Sequence, residues 1–64
     1  MTPNNIYWTM LTAMQYGGSF YQALGAAGVK ADPNNQKRIL DAFPELAATY
    51  GPASRFHKQL REGS

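Results

Sequence analysis

Proline limits what this chain can build. Pro33, Pro44 and Pro52 divide residues 31–51, ADPNNQKRILDAFPELAATYG, into two helical pieces, and we expect the rest of the chain to be organised around them. Asp32 suits a helix N-cap and Pro33 the first helical position, with Asn34 and Asn35 following in the first turn. Ile39, Phe43, Leu46 and Tyr50 then recur at steps of four, three and four, the spacing of one core-facing stripe. Gln36, Lys37, Arg38 and Asp41 fall on the polar side. Pro44 has no N–H to give the carbonyl four residues back and pushes Phe43 out of the α region, so the helix must bend at Phe43-Pro44. A second short helix restarts at Pro44, with Glu45 favoured near its N-terminal dipole, and stops at Gly51-Pro52.

The N-terminal part repeats this logic. Thr2-Pro3-Asn4-Asn5 places a capping hydroxyl before a first-turn proline and predicts a helix over residues 3–16. Tyr7, Leu11 and Met14 form its inward stripe, broadened by Ile6 and Met10, while Trp8 lies off the centre and is expected to be at least partly exposed. Gly17-Gly18 offers positive φ for a stop and turn. Ser19 to Gln22 matches a capping box, so a second helix starts there, with Phe20, Ala23, Leu24 and Ala27 as its apolar face and Gly28 as its end. A last helix over residues 53–61 turns Phe56 and Leu60 inward and Arg55, Lys58 and Arg61 outward, with residues 62–64 fraying. No strand-like alternation occurs. The expected fold is all-α: one domain, residues 1–64, forming a small bundle of three to four short helices with a proline-induced break in the central element.

Sixty-four residues bury a thin core, rarely worth more than roughly 3–5 kcal/mol. The chain has no cysteine and one histidine, which removes disulfides and any ordinary zinc site. Packing, self-association or a partner must supply the stability. The N-terminus shows no signal-peptide pattern, and the longest apolar patch, residues 6–16, is interrupted by Thr9, Thr12 and Gln15 and is too short to span a membrane. We expect a cytoplasmic protein with no membrane partner, no cofactor and no metal.

Little points to catalysis. Ser54 and His57 share a helix face but lack a third orienting group, and a capping serine followed by a surface histidine explains them. Asp41 and Glu45 straddle Pro44, and the glycines form neither a phosphate loop nor a dinucleotide fingerprint. The chain is therefore read as non-enzymatic. A formal charge of +2 is too small to imply nucleic-acid binding by itself. The segment from Phe20 through the polar helix that opens with Asn34, Asn35, Lys37 and Arg38 nevertheless resembles a helix-turn-helix plan, and these side chains read bases and phosphates. Leu24 and Pro33 depart from that plan, so DNA binding through those four residues is the alternative reading.

Charge distribution points elsewhere. From residue 1 to 29 there is no charged side chain, yet this part holds Tyr7, Trp8, Tyr16, Phe20 and Tyr21, five of the eight aromatics. Tyr7, Leu11, Met14, Phe20 and Leu24 are expected in the core. Trp8, Tyr16 and Tyr21 cannot all face inward in so thin a domain, and aromatic, charge-depleted surfaces are typical of interface centres. These three are the candidate protein-binding residues, toward a second copy or a foreign partner.

Tyr16-Gly17-Gly18-Ser19-Phe20, Ala31-Asp32-Pro33 with Asn35, and Ala42-Phe43-Pro44 followed by Tyr50 resemble a pattern in short hypothetical proteins of temperate bacteriophages and prophages. The resemblance covers about half the chain and carries no site. It implies a phage accessory protein that binds a host protein in the host cytoplasm, such as an inhibitor or modulator of a defence or regulatory factor.

Overall fold

The computed structural model describes residues 3–63, and the side chains of 4–63. It is all-helical over that range, with α1 (Pro3–Tyr16), α2 (Ser19–Lys30), α3 (Pro33–Ala42), α4 (Glu45–Tyr50) and α5 (Arg55–Gly63). Five helices stand among the described residues where three to four were expected. The expected cap at Thr2 lies outside them.

The organising element is α1, not residues 31–51. It packs against α2, α4 and α5, whereas α3 touches only α2 and α4 substantially. Its inward face also differs from the expected stripe. Met10 and Ala13 are fully buried and join Leu46 and Tyr50 in the core, with Ile6, Leu24, Ile39 and Phe43 among the side chains packed around them. Tyr7, by contrast, is 41% exposed and Phe20 54%. Leu11 and Met14 are only partly buried. The helix is rotated because two threonines fill its inner side at no polar cost. Thr9 and Thr12 are fully buried, and their hydroxyls donate to the carbonyls of Asn5 (2.7 Å) and Trp8 (2.6 Å), one turn back. A buried hydroxyl that bonds its own helix needs no partner elsewhere.

Close approach fixes α2 against α1. A Cβ on Gly25 would lie 2.5 Å from the Met10 carbonyl oxygen and 2.6 Å from the Met14 nitrogen, and one on Gly28 would run into the Met10 side chain. Both glycines are buried within α2, so Gly28 does not end the helix, which continues to Lys30. The α1–α2 turn needs no positive φ at Gly17 or Gly18, since no described glycine adopts it. Nor is there a capping box at Ser19, because Gly18 holds the N-cap position and no side chain bonds the first turn.

The proline breaks behave as expected. Phe43 leaves the α region (φ −129°, ψ 72°) ahead of Pro44, and α4 restarts at once with Leu46 and Tyr50 buried. Asp32 does occupy the α3 N-cap, but its carboxylate takes the Asn35 side-chain amide instead of a backbone N–H. The last helix starts at Arg55, two residues later than expected, and stays helical through Glu62 and Gly63, which were expected to fray; Ser64 lies outside the described residues. It runs antiparallel to α1, with Phe56 beside Tyr16 and Arg61 beside Trp8 and Asn5.

Candidate protein-binding surface

The outward side of α1 carries Asn4, Tyr7, Leu11 and Gln15, flanked by Trp8 toward α5 and Met14 toward α2. Asn4, Tyr7 and Gln15 are exposed; Trp8, Leu11 and Met14 are partly buried, but none of the three packs on the buried core. A solvent-facing helix side is normally polar and charged. Here it is uncharged and largely apolar. Trp8 is held from both sides, with the Tyr7 ring edge-on at 6.3 Å and the Arg61 guanidinium 5.7 Å from its centroid. Such a cation–π contact at a partly exposed site is worth about 0.5–1 kcal/mol. The Arg61 Nη1 also donates to the Asn5 side-chain oxygen at 3.4 Å.

Tyr16 and Tyr21 belong to a different construction. Six aromatic rings follow one another across the helix ends, Tyr16 on Phe56 (5.3 Å between centroids), then Tyr50 (6.2 Å), Tyr21 (6.2 Å), Phe20 (5.1 Å) and Phe43 (5.6 Å). Phe20 and Tyr16 stand partly in solvent toward its two ends. Tyr50 and Phe56 therefore separate Tyr16 from Tyr21, and Trp8 makes no ring contact with the row. The Tyr21 hydroxyl donates to a Glu45 carboxylate oxygen at 2.9 Å. That bond, with smaller effects of burial and of the nearby Glu45 and Tyr50 charges, holds the phenol above its usual range.

The four candidate DNA-reading residues, Asn34, Asn35, Lys37 and Arg38, are all exposed on α3. Three of them are engaged with neighbours. Lys37 pairs with Asp41 at 3.3 Å, Asn35 bonds Asp32, and Arg38 reaches the Asn35 oxygen at 3.4 Å. Exposed pairs of this kind are worth a few tenths of a kcal/mol and would yield to a phosphate. Gln36 was placed on the polar side with them, but it is buried, and its amide donates to the Gly28 carbonyl at 2.8 Å. It fastens α3 to the end of α2 and cannot reach a base.

His57, read as a surface residue, is 1% exposed. Its Nδ1 lies 3.0 Å from the Tyr50 carbonyl, which can only accept, so Nδ1 carries the proton; Nε2 is sealed in without a partner. The Ser54 hydroxyl accepts the His57 backbone N–H at 3.2 Å and so caps α5 instead of facing the imidazole as a nucleophile. An open groove of about 340 Å³ lies beside them, lined by Pro52, His57, Lys58, Arg61 and Glu62, but it does not expose the sealed nitrogen. Among the described residues no three histidine, cysteine or carboxylate side chains converge to hold a metal, and no helix is long and apolar enough to cross a membrane. The residues that the sequence did not signal are thus Phe20, exposed where core was expected, and the Tyr7–Leu11–Met14 stripe. Compared with family models, curated proteins and solved structures, the chain matches none of them.

Proposed function

We propose that this chain is a small, non-catalytic protein-binding module, and that it acts as a phage accessory protein on a host protein. One observation carries the binding reading. Phe20 is 54% exposed and Tyr7 and Tyr16 are 41% exposed, on a half of the chain that has no charged side chain. Single exposed apolar residues are ordinary, but three large rings on an uncharged half are what interface centres share. At ~25 cal/mol per Å² of apolar area, covering such rings stabilises a complex by a few kcal/mol. The bacteriophage setting rests on the sequence resemblance alone.

Capture from bacterial lysate tests it. Immobilised wild type should retain a host protein, identified by mass spectrometry, that the Tyr16→Ser/Phe20→Ser double variant loses at least ten-fold while its melting temperature stays within a few degrees. Identical capture by both chains would sink this reading. DNA binding remains the second proposal because Asn34, Lys37 and Arg38 stand exposed on one short helix; duplex affinity that falls steeply with salt, and less steeply after Lys37→Ala/Arg38→Ala, would move the conclusion there.

A further inference from the structure

We propose that the outer face of α5 and the groove beside it bind an acidic segment of a partner protein, whose carboxylates meet the cations of this helix. This rests on the protein-binding reading above and names the partner's chemistry. The formal charge of +2 is the difference between six cations and four carboxylates. Lys30, Lys37 and Arg38 are matched in number by Asp32, Asp41 and Glu45, all between residues 30 and 45. The whole imbalance therefore lies on α5, which carries Arg55, Lys58 and Arg61 with one carboxylate, Glu62. Residues 1–29, which include the neighbouring α1, bring no charge of either sign to offset it.

Position turns this imbalance into a site. The three cations are exposed and recur every third residue, so neighbours along the ridge stand about 5–6 Å apart. Among the described residues the ion pair is Lys37–Asp41 on α3, and neither Arg55 nor Lys58 has a carboxylate within ion-pair distance. The ridge ends beside α1, where Arg61 is already held over Trp8 at 5.7 Å, so a partner need not order that side chain. Lys58, Arg61 and Glu62 share with Pro52 and His57 the open groove of about 340 Å³. That is room for a side chain or two of an incoming segment. Glu62 decides between acidic partners. A nucleic-acid strand carries a phosphate at every nucleotide and would meet the Glu62 carboxylate on a ridge only about 14 Å long for nine residues. A protein segment can set carboxylates on Arg55, Lys58 and Arg61 and place a hydroxyl or amide donor at Glu62.

A fluorescein-labelled twelve-residue peptide of glutamate and leucine tests this against the full chain by anisotropy at low ionic strength. It should bind saturably, release as salt screens the exposed charges, and shift the emission of Trp8, the single tryptophan, as Arg61 is engaged. The lysine–leucine counterpart should not bind. Arg55→Gln/Lys58→Gln should weaken binding at least ten-fold with its melting temperature within a few degrees of wild type. If that pair loses helicity, Lys58→Gln alone should still weaken it several-fold. Lys37→Gln/Arg38→Gln removes the same charge from α3 and should bind like wild type. An acidic peptide that does not bind overturns the proposal, as does equal weakening in the two double variants, which would mean net charge without a site. Binding that leaves Trp8 emission unmoved overturns the placement, and a single-stranded thymidine twelve-mer bound more tightly through α5 overturns the choice of a protein. The wider reading fails separately: a host protein captured in full by the Arg55→Gln/Lys58→Gln chain removes only this site, and acidic-peptide binding with no captured protein removes only the host.

Discussion

At the scale of single residues, polar atoms with partners inside the fold decide what is buried. Thr9, Thr12, Gln36 and His57 all sit in the interior because each finds a backbone carbonyl, and Tyr21 reaches Glu45. The Tyr21 phenol gives a pH prediction. Its folded-state pKa is raised, so the stability it contributes is present below the unfolded value of 10.0 and is lost as pH rises through the higher folded value. One of the four tyrosines should therefore ionise after the others in an ultraviolet titration, and Glu45→Gln should bring it back among them. A single common transition in the wild type would show that the hydrogen bond does not persist in solution. Gly25 gives a second prediction. Alanine gains about 1 kcal/mol of helix propensity over glycine, but here its Cβ would meet the α1 backbone at 2.5 Å, and backbone cannot swing aside. Gly25→Ala should lower stability by about 1–3 kcal/mol in chemical denaturation. Gly28→Ala should cost less, since the obstructing atoms belong to the Met10 side chain.

Helix ends were far more legible than helix faces. Pro33, Pro44 and Pro52 act through their own covalent geometry, so a break written locally appears where it is written, whereas Gly28, with no such constraint, lies inside α2 and does not end it. The face of α1 is set by distant packing. A count of apolar residues favoured Tyr7, Leu11 and Met14, and it failed because a threonine that bonds the carbonyl four residues back packs like an apolar side chain. His57 was illegible for the same reason at longer range, since the carbonyl that accepts from it belongs to Tyr50, in another helix. Of the candidate surface, the exposed positions of Tyr16 and the partial cover on Trp8 could be read in sequence. That Phe56 and Tyr50 stand between Tyr16 and Tyr21 could not, because those rings come from α4 and α5. The elbow itself is testable. Phe43 is partly buried and meets Phe20 at 5.6 Å, so Phe43→Ala should destabilise by about 2–3 kcal/mol, below the 3–5 usual for a fully buried phenylalanine. An unchanged melting midpoint would mean that the bend contributes nothing to the core.

Across the whole molecule, the buried apolar set among the described residues is Met10, Ala13, Leu46 and Tyr50, drawn from α1 and α4 alone. The three other helices lean on this pair with partly buried apolar side chains, α3 and α5 adding the buried polar Gln36 and His57. Such a core leaves little in reserve: small domains of this size hold roughly 3–5 kcal/mol, and deleting a fully buried leucine costs about 2–5. Leu46 is fully buried and lies directly after the Pro44 elbow, where the chain cannot shift to close a cavity without disturbing Phe43 and Tyr50. Leu46→Ala should therefore be largely unfolded at room temperature by circular dichroism. Leu11→Ala, at a partly buried position outside that core, should keep its helicity and melt within a few degrees of wild type. The reverse order, with Leu46→Ala folded and Leu11→Ala melted, would place the true centre of the molecule on the outward side of α1.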